Sequence, residues 1–187
     1  MLVGANTIRQ DTPPPPASWS APRTAATAAG LPFSPTANFF TEGAVHKLVY
    51  TPAPDKTSVS LGEAATVIEA TDLQSVLRDL TARGSQRLMV EGGTTLHTQF
   101  LTPALADELH LVIPPFVGDP TAARLVAPGT YPQSSAHRMN LTEVRQIGDV
   151  VSLRYLLEVA LEVSTSTVCR SVLTPPGPGG HPSVGGS

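Results

Sequence analysis

The sequence is poor in cysteine, in charge and in long apolar runs, and each shortage excludes a class of protein. A lone cysteine, Cys169, cannot form an internal disulfide and is typical of a reducing cytosol, so we predict a cytoplasmic protein. No apolar run approaches the ~20 residues of a membrane span, and no basic-then-apolar signal peptide opens the chain. Charged residues make up 14% of the chain, the formal net charge is −3, and Lys and Arg form no run. We therefore expect neither nucleic acid nor a membrane as a partner.

The composition fits one folded domain with long loops. The chain has 187 residues, 41% of them hydrophobic, which suffices for a single core. Its 19 prolines and 15 glycines cluster, which indicates loops and a tail rather than a proline-rich fold. No group of His, Cys, Asp and Glu has metal-ligand spacing, so no metal is predicted.

The most informative stretch is Arg87–Leu101, with the sequence RLMVEGGTTLHTQFL. Its apolar run predicts a buried strand, Gly92 and Gly93 permit a sharp turn, and a helix follows that Thr94 or Thr95 would cap. Free N–H groups at such a helix start favour a phosphate, and open α/β sheets bind ligands beyond the carboxyl ends of their strands. The plainer alternative is a tight strand-to-helix connection that binds nothing, with Glu91 as an exposed carboxylate.

Other segments predict an alternation of strands and helices. Residues 46–51 and 67–70 read as buried strands, and residues 72–83 read as a helix that Asp72 caps and Gly84 ends. Leu109–Ile113 predicts another buried strand. The alternating runs at 141–147 and 150–159, joined by Gly148-Asp149, predict a hairpin. Residues 6–10 predict a short helix, residues 13–43 a Pro-rich loop, and residues 164–187 a disordered tail.

A second stretch, VGANTIRQDTP at 3–13, precedes EGGTTL and DELHLVIPP in the chain. These segments, in this order and spacing, resemble the reductase domain of the riboflavin-pathway deaminase–reductases, a branch of the dihydrofolate-reductase-like fold. The resemblance covers roughly residues 1–159. It implies an α/β fold of three α/β/α layers, with a mostly parallel central sheet and a C-terminal antiparallel hairpin. The resulting division is a reductase domain at 1–163 and a tail at 164–187.

The resemblance also implies a function. Family members use NADPH to reduce a ribosylamino group on a phosphorylated pyrimidine, with hydride transfer to the sugar C1′, and they commonly form homodimers. It implies that Asp11 is catalytic and that Glu91 faces the substrate; for Thr7 and Asp11 the alternative is helix capping. The residues implied to bind the cofactor are Thr7, Asp11, Gly92, Gly93, Thr94, Thr95 and Leu96, and Gly92 to Gln99 would surround its phosphates.

The sequence also departs from the family pattern. The family continues after Asp11 with a second Asp, a Pro, and then a Leu and an Arg that hold the phosphoribosyl group, but here Thr12 and the prolines at 13–16 follow. Family members also carry a first strand with a Ser-Leu-Asp-Gly-like turn before the matching region, so we expect a fragment or a start placed too late. Two alternatives therefore stay open: a reductase of the same fold acting on another pterin- or pyrimidine-like substrate, and a non-catalytic remnant.

Asp107, Glu108 and His110 belong to the DELHL segment and are not assigned to the site. The two carboxylates lie at the start of a predicted strand, away from the end at which ligands bind. A single histidine within a buried strand is more often structural than catalytic. We therefore leave the two carboxylates out of the site and predict a structural role for His110.

Overall fold

A computed structural model of the chain describes residues 1–5, 8, 23–27, 33–41, 45–113, 115, 124–157 and 170–174, with the backbone alone at 23–27 and 170–174. Nine strands and four helices are described, and a 3-10 turn at Gly62–Ala64 follows the second helix. The strands are β1 Leu2–Gly4, β2 Arg23–Thr27, β3 His46–Thr51, β4 Thr66–Glu69, β5 Arg87–Glu91, β6 Glu108–Ile113, β7 Asn140–Ile147, β8 Val150–Leu156 and β9 Arg170–Thr174. The helices are α1 Asn38–Thr41, α2 Pro54–Leu61, α3 Leu73–Ala82 and α4 Thr94–Leu101.

All nine strands form one sheet in the order β4-β3-β2-β1-β5-β9-β6-β8-β7. In the order of the sheet, the seven strands from β4 to β6 run parallel to one another. Strand β8 is antiparallel to both of its neighbours, β6 and β7. The β7–β8 hairpin turns at Gly148, whose φ of 61° is a conformation that glycine adopts without strain. The mostly parallel sheet and its antiparallel hairpin are confirmed.

Two apolar cores lie on opposite faces of the sheet, so the fold has three layers. Alternate residues along β3 divide between them: Leu48 and Tyr50 belong to the larger core, and Val49 belongs to the smaller one. The larger core contains the apolar sides of α3 and α4, including Leu80 and Phe100. The smaller core contains Val3, Ile8, Phe33, Phe40, Val49 and Leu61.

The sheet has a topological switch point between β1 and β5. From β1 the chain adds β2, β3 and β4 outward on one side, and β5 then returns to pair with the other side of β1. Open α/β sheets bind ligands at such a point, beyond the carboxyl ends of the strands. We call this end of the parallel strands the carboxyl edge; it is where β5 ends at Glu91.

Helix α3 confirms the predicted helix at 72–83. Asp72 is its N-cap, and the Asp72 Oδ1 atom accepts a 2.7 Å hydrogen bond from the backbone N–H of Ser75. Val76, Leu77 and Leu80 are buried, so the predicted apolar side of the helix packs on the sheet. Because this helix carries its own cap and apolar stripe, its sequence alone specified it.

The hydroxyl of Tyr50 joins β3 to α3. It donates a 2.6 Å hydrogen bond to Asp79 Oδ2, and the same oxygen accepts from Arg83 Nε at 2.6 Å. Burial and this hydrogen bond raise the pKa of Tyr50. Tyr50→Phe should therefore lower the free energy of unfolding by about 1 kcal/mol, measured by urea denaturation at neutral pH. Tyr155→Phe, on the hairpin away from this ion pair, is the matched control; equal effects in the two variants would contradict the assignment.

Three segments differ from the sequence predictions. The predicted loop at 13–43 contains β2 and α1, and α2 was not predicted. Strand β2 reads RTAAT, which lacks the large apolar residues that mark a buried strand, but it is paired on both sides. The disorder predicted for 164–187 is wrong for Arg170–Thr174, which form β9. Of the short helix predicted at 6–10, only Ile8 lies within the described residues, and it is helical.

Candidate functional site

The candidate site begins at Glu91, the last residue of β5. Val90 beside it is fully buried, and Glu91 is half-buried at the carboxyl edge, level with Val3 on β1. Burial raises the pKa of the Glu91 carboxyl because the charged form loses hydration. A carboxyl group in this position retains its proton to higher pH than an exposed one and can donate as well as accept a hydrogen bond.

Gly92 makes the turn from β5 into α4 sterically possible. A Cβ atom at this position would lie 2.8 Å from Leu96 Cδ2 and 3.1 Å from Leu96 Cβ. Because Leu96 is itself buried, its side chain has little room to move away. Gly92 therefore allows the strand end and the first turn of α4 to approach closely, which agrees with the glycine turn predicted from sequence.

Gly93 is the N-cap of α4, in an extended conformation with φ −89° and ψ −171°. The predicted cap by Thr94 or Thr95 is wrong: both residues lie inside the helix, and the N-cap makes no side-chain hydrogen bond. The Thr94 hydroxyl donates instead to the backbone carbonyl of Arg124. A Cβ atom at Gly93 would meet nothing within 4 Å. The position of a side chain at Gly93 is therefore open among the described atoms.

A loop that follows β6 in the chain is fixed against α4. The imidazole of His97, which is 1% exposed, donates through Nδ1 to the carbonyl of Leu125 at 3.2 Å. Thr98 Oγ1 accepts from the backbone N–H of Ala127 at 2.9 Å. These contacts bring a basic residue, Arg124, next to the start of the helix. The position of this loop could not be predicted from the sequence, because no motif marks a pairing across some 30 positions of the chain.

Several strand ends meet at this part of the carboxyl edge. Gly4 ends β1 beside β5, and Thr174 ends β9 in register with Glu91 on the other side. Glu91, Gly92, Gly93, Thr94, Thr95 and Leu96 are thus contiguous at the switch point. The other two residues assigned from the family resemblance, Thr7 and Asp11, lie outside the described residues.

A separate group of charged residues lies at the start of β6, at the end of the sheet opposite the carboxyl edge. Glu108 is 1% exposed; it accepts from Arg154 Nε at 2.8 Å and from Arg87 at 3.4 Å, and it contacts His110 Nε2 at 3.2 Å. The hydrogen bond from Arg154 is the main cause that lowers the pKa of Glu108 to about 2. This geometry agrees with the structural role predicted for His110 and with the exclusion of Glu108 from the site. Within the described ranges, no group of three or more His, Cys, Asp and Glu is arranged to hold a metal ion.

The site fits a phosphate group. The first N–H groups of a helix are unsatisfied within the helix and carry partial positive charge. At α4 the N-cap residue makes no side-chain hydrogen bond to them, and a Cβ atom on that residue would meet no described atom within 4 Å. Both features suit an anion that approaches along the helix axis, and Glu91 lies directly beside that position.

Comparisons with known proteins agree with this assignment of the fold. The sequence matches the RibD C-terminal domain family over residues 1–153. It is 33% identical over 112 residues to the 2,5-diamino-6-ribosylamino-4(3H)-pyrimidinone 5′-phosphate reductase of Methanothermobacter thermautotrophicus, a match that covers 57% of this chain and 52% of that protein. It is 27% identical over 166 residues to the riboflavin biosynthesis protein RibD of Bacillus amyloliquefaciens, covering 82% of this chain and 45% of that one. The chain thus spans about half the length of these curated relatives.

A solved structure shows the same fold. The crystal structure of a pyrimidine reductase-like protein from Corynebacterium diphtheriae superposes with a TM-score of 0.67 at 22% identity. The match covers 84% of this chain and 75% of that one. At this level of identity the likeness supports the fold alone.

Proposed function

The chain belongs to the RibD C-terminal domain family, and on that premise we propose that it is an NADPH-dependent reductase of riboflavin biosynthesis. The reaction is of the 5-amino-6-(5-phosphoribosylamino)uracil reductase type, in which the ribosylamino group becomes ribitylamino. When bound, the dihydronicotinamide supplies the hydride that reaches the ribosyl C1′. The protein's part is to position the two ligands and to control the charge around them.

One observation carries the proposal: the uncapped start of α4 lies at the switch point, directly after β5. Gly93 offers no side-chain cap to the first N–H groups of the helix, and Gly92 brings the helix close to the strand end. These N–H groups would bind the cofactor phosphates. Arg124, whose carbonyl accepts from Thr94, is the described basic residue that we assign to charge neutralisation there.

Glu91 would contact the substrate from the strand side of the turn. Burial raises the pKa of its half-buried carboxyl, and in its protonated form this group would donate to an electronegative substrate atom. By the family resemblance, Thr7 and Asp11 contact the nicotinamide or lie beside the reacting centre, and Asp11 is the catalytic residue. Both residues follow β1, whose end at Gly4 lies beside the end of β5.

The test is NADPH-dependent reduction of the phosphoribosylaminopyrimidine by the purified chain, followed by loss of nicotinamide absorbance. We expect turnover by the wild-type chain and a fall in kcat of at least about tenfold in Asp11→Ala, since a positioned acid–base group contributes at least that much. Glu91→Gln should raise the KM for the pyrimidine and leave the NADPH dissociation constant unchanged. A folded chain that binds NADPH but reduces none of this substrate class would contradict the proposed reaction.

A second candidate function keeps the chemistry and changes the substrate. The Leu and Arg that hold the phosphoribosyl group in the family are replaced here by the prolines at 13–16. This departure favours a reductase that acts on another pterin- or pyrimidine-like molecule. A screen of such compounds with NADPH separates the two candidates, because only the first requires the phosphoribosyl group.

The proposal also includes an oligomeric state and a cellular location. The family resemblance implies a homodimer, which sedimentation equilibrium would test. The single cysteine favours a cytoplasmic location. No helix in the described part of the chain combines the length and hydropathy needed to cross a membrane.

A further inference from the structure

The last described strand, β9, occupies a central position in the sheet. It lies between β5 and β6, runs parallel to both, and follows every other described strand in the chain. Among the described strands, β5 and β6 are not neighbours. Without β9 the sheet would therefore consist of two separate parts, β4-β3-β2-β1-β5 and β6-β8-β7.

The chain can reach this position without a long crossover. Leu156, the last residue of β8, is level with Glu108 at the start of β6, and Val172 is level with Glu108 on the other side of β6. Two strand spacings, ~10 Å, therefore separate the end of β8 from β9. Because an extended chain reaches up to ~3.3–3.6 Å per residue, residues 157–169 are long enough to connect the two strands.

The two strands that flank β9, β5 and β6, are also joined by an ion pair. Arg87 at the start of β5 donates to both carboxylate oxygens of Glu108 at 3.4 Å, across the position that β9 occupies. Within β9, Leu173 is in register with Val90 on β5 and with Leu109 on β6, both of which are buried. The ion pair and the buried residues Val90 and Leu109 on the two flanking strands define the position of β9.

The other end of β9 lies at the candidate site. Thr174 is in register with Glu91, directly before the Gly92-Gly93 turn. β9 is an integral strand of the sheet, and we propose that its carboxyl end, at Thr174, forms the wall of the substrate site beside Glu91. The wall rests on the proposed function, which puts the substrate beside Glu91; the position of the strand does not depend on it.

The strand is tested first, without any ligand. Hydrogen exchange followed by mass spectrometry on the full chain should show backbone amides at 171–174 protected to a similar degree as those of β5. A peptide covering residues 180–187, in the segment predicted to be disordered, gives the rate of unprotected exchange. Exchange of 171–174 at that unprotected rate would overturn the proposal.

The wall is tested with Thr174→Trp, which adds bulk at the carboxyl end of β9. We expect the KM for the phosphoribosylaminopyrimidine to rise at least about tenfold, since a misplaced substrate loses binding energy at the reacting centre. The NADPH dissociation constant and the thermal unfolding midpoint should not change. Glu69→Trp, at the end of the outermost strand β4, is the matched control and should leave the KM unchanged.

An unchanged KM in a folded Thr174→Trp variant would contradict the assignment of Thr174 to the wall of the substrate site. Failure of the proposed function gives a different result, because the wild-type chain would then reduce none of the substrates. In that case protection of 171–174 would still establish β9 as an integral strand, and unprotected exchange would still refute it.

Discussion

Gly93→Asp should weaken NADPH binding at least about tenfold while the stability of the fold stays the same or rises slightly. An aspartate is a favoured N-cap, and replacing glycine by such a cap changes stability by only a few tenths of a kcal/mol. Gly93 already has the extended conformation that an N-cap residue adopts, and a Cβ atom there meets no described atom within 4 Å. The variant therefore folds as the wild type does.

The loss of binding follows from charge and from competition. The carboxylate introduced by Gly93→Asp would accept hydrogen bonds from the N–H groups that we assign to the cofactor phosphates. Two unit negative charges about 4 Å apart near a protein surface repel by about 4 kcal/mol before salt screening. A tenfold loss requires ~1.4 kcal/mol, so even a strongly screened repulsion suffices.

Isothermal titration calorimetry with NADPH measures this effect, and two control variants separate its causes. Gly93→Ala adds only a Cβ atom and should bind NADPH nearly as tightly as the wild type. Gly93→Asn competes for the same N–H groups without a charge and should lie between the alanine and aspartate variants. If Gly93→Asp were stable and bound NADPH as tightly as Gly93→Ala, α4 would not be the phosphate site.

Glu108→Gln should destabilise the fold by about 3 kcal/mol at neutral pH, since removing one partner of a buried ion pair leaves the remaining charges uncompensated. The side chain is 1% exposed and contacts Arg87, Arg154 and His110. Arg87 and Arg154 are partly exposed, so water compensates part of the loss, which places the expected cost at the lower end for such pairs. Urea denaturation measures it.

The cost should also depend on pH in a defined direction. The pKa of Glu108 is lowered from 4.5 to about 2 in the folded protein. A lowered carboxyl pKa stabilises the fold above the unfolded value, and this contribution is lost as the pH falls through the folded value. The difference between wild type and Glu108→Gln should therefore be complete at neutral pH, shrink below 4.5 and vanish near 2.

Glu143→Gln is the matched control for this ion pair. Glu143 contacts Arg145 at 3.3 Å on the exposed strand β7, with side-chain exposures of 44% and 66%. An exposed pair of this kind contributes about 0.5 kcal/mol or less. Equal costs for the two variants, or a Glu108→Gln cost that does not change with pH, would contradict the role of Glu108 as a buried anchor.

The sequence was sufficient where a segment carries its own pattern. Strand β3 has the bounds predicted from its apolar run, α3 begins at its predicted cap, and the hairpin turns at Gly148-Asp149. The Glu91–Leu101 segment forms the predicted strand end, turn and helix. These elements depend on interactions between near neighbours in the chain, which periodicity and capping rules capture.

The sequence was insufficient where distant partners determine the structure. Strand β2 consists of small and polar residues, and β9 lies in a segment rich in Ser, Thr, Pro and Gly, so neither has a clear apolar pattern. Each is specified by pairing on both sides, which local composition does not report. At the site, the glycine cap replaced the predicted threonine cap because the Thr94 hydroxyl has a partner in the 124–127 loop.

The most direct test of the central claim is an NMR titration of the isotope-labelled chain with NADPH, which follows each backbone amide. We expect saturable shifts that are largest at Gly93, Thr94, Thr95 and Leu96, and that are absent in Gly93→Asp. Saturable shifts that avoid the start of α4, or no shifts in a well-folded chain, would show that this turn does not bind the cofactor.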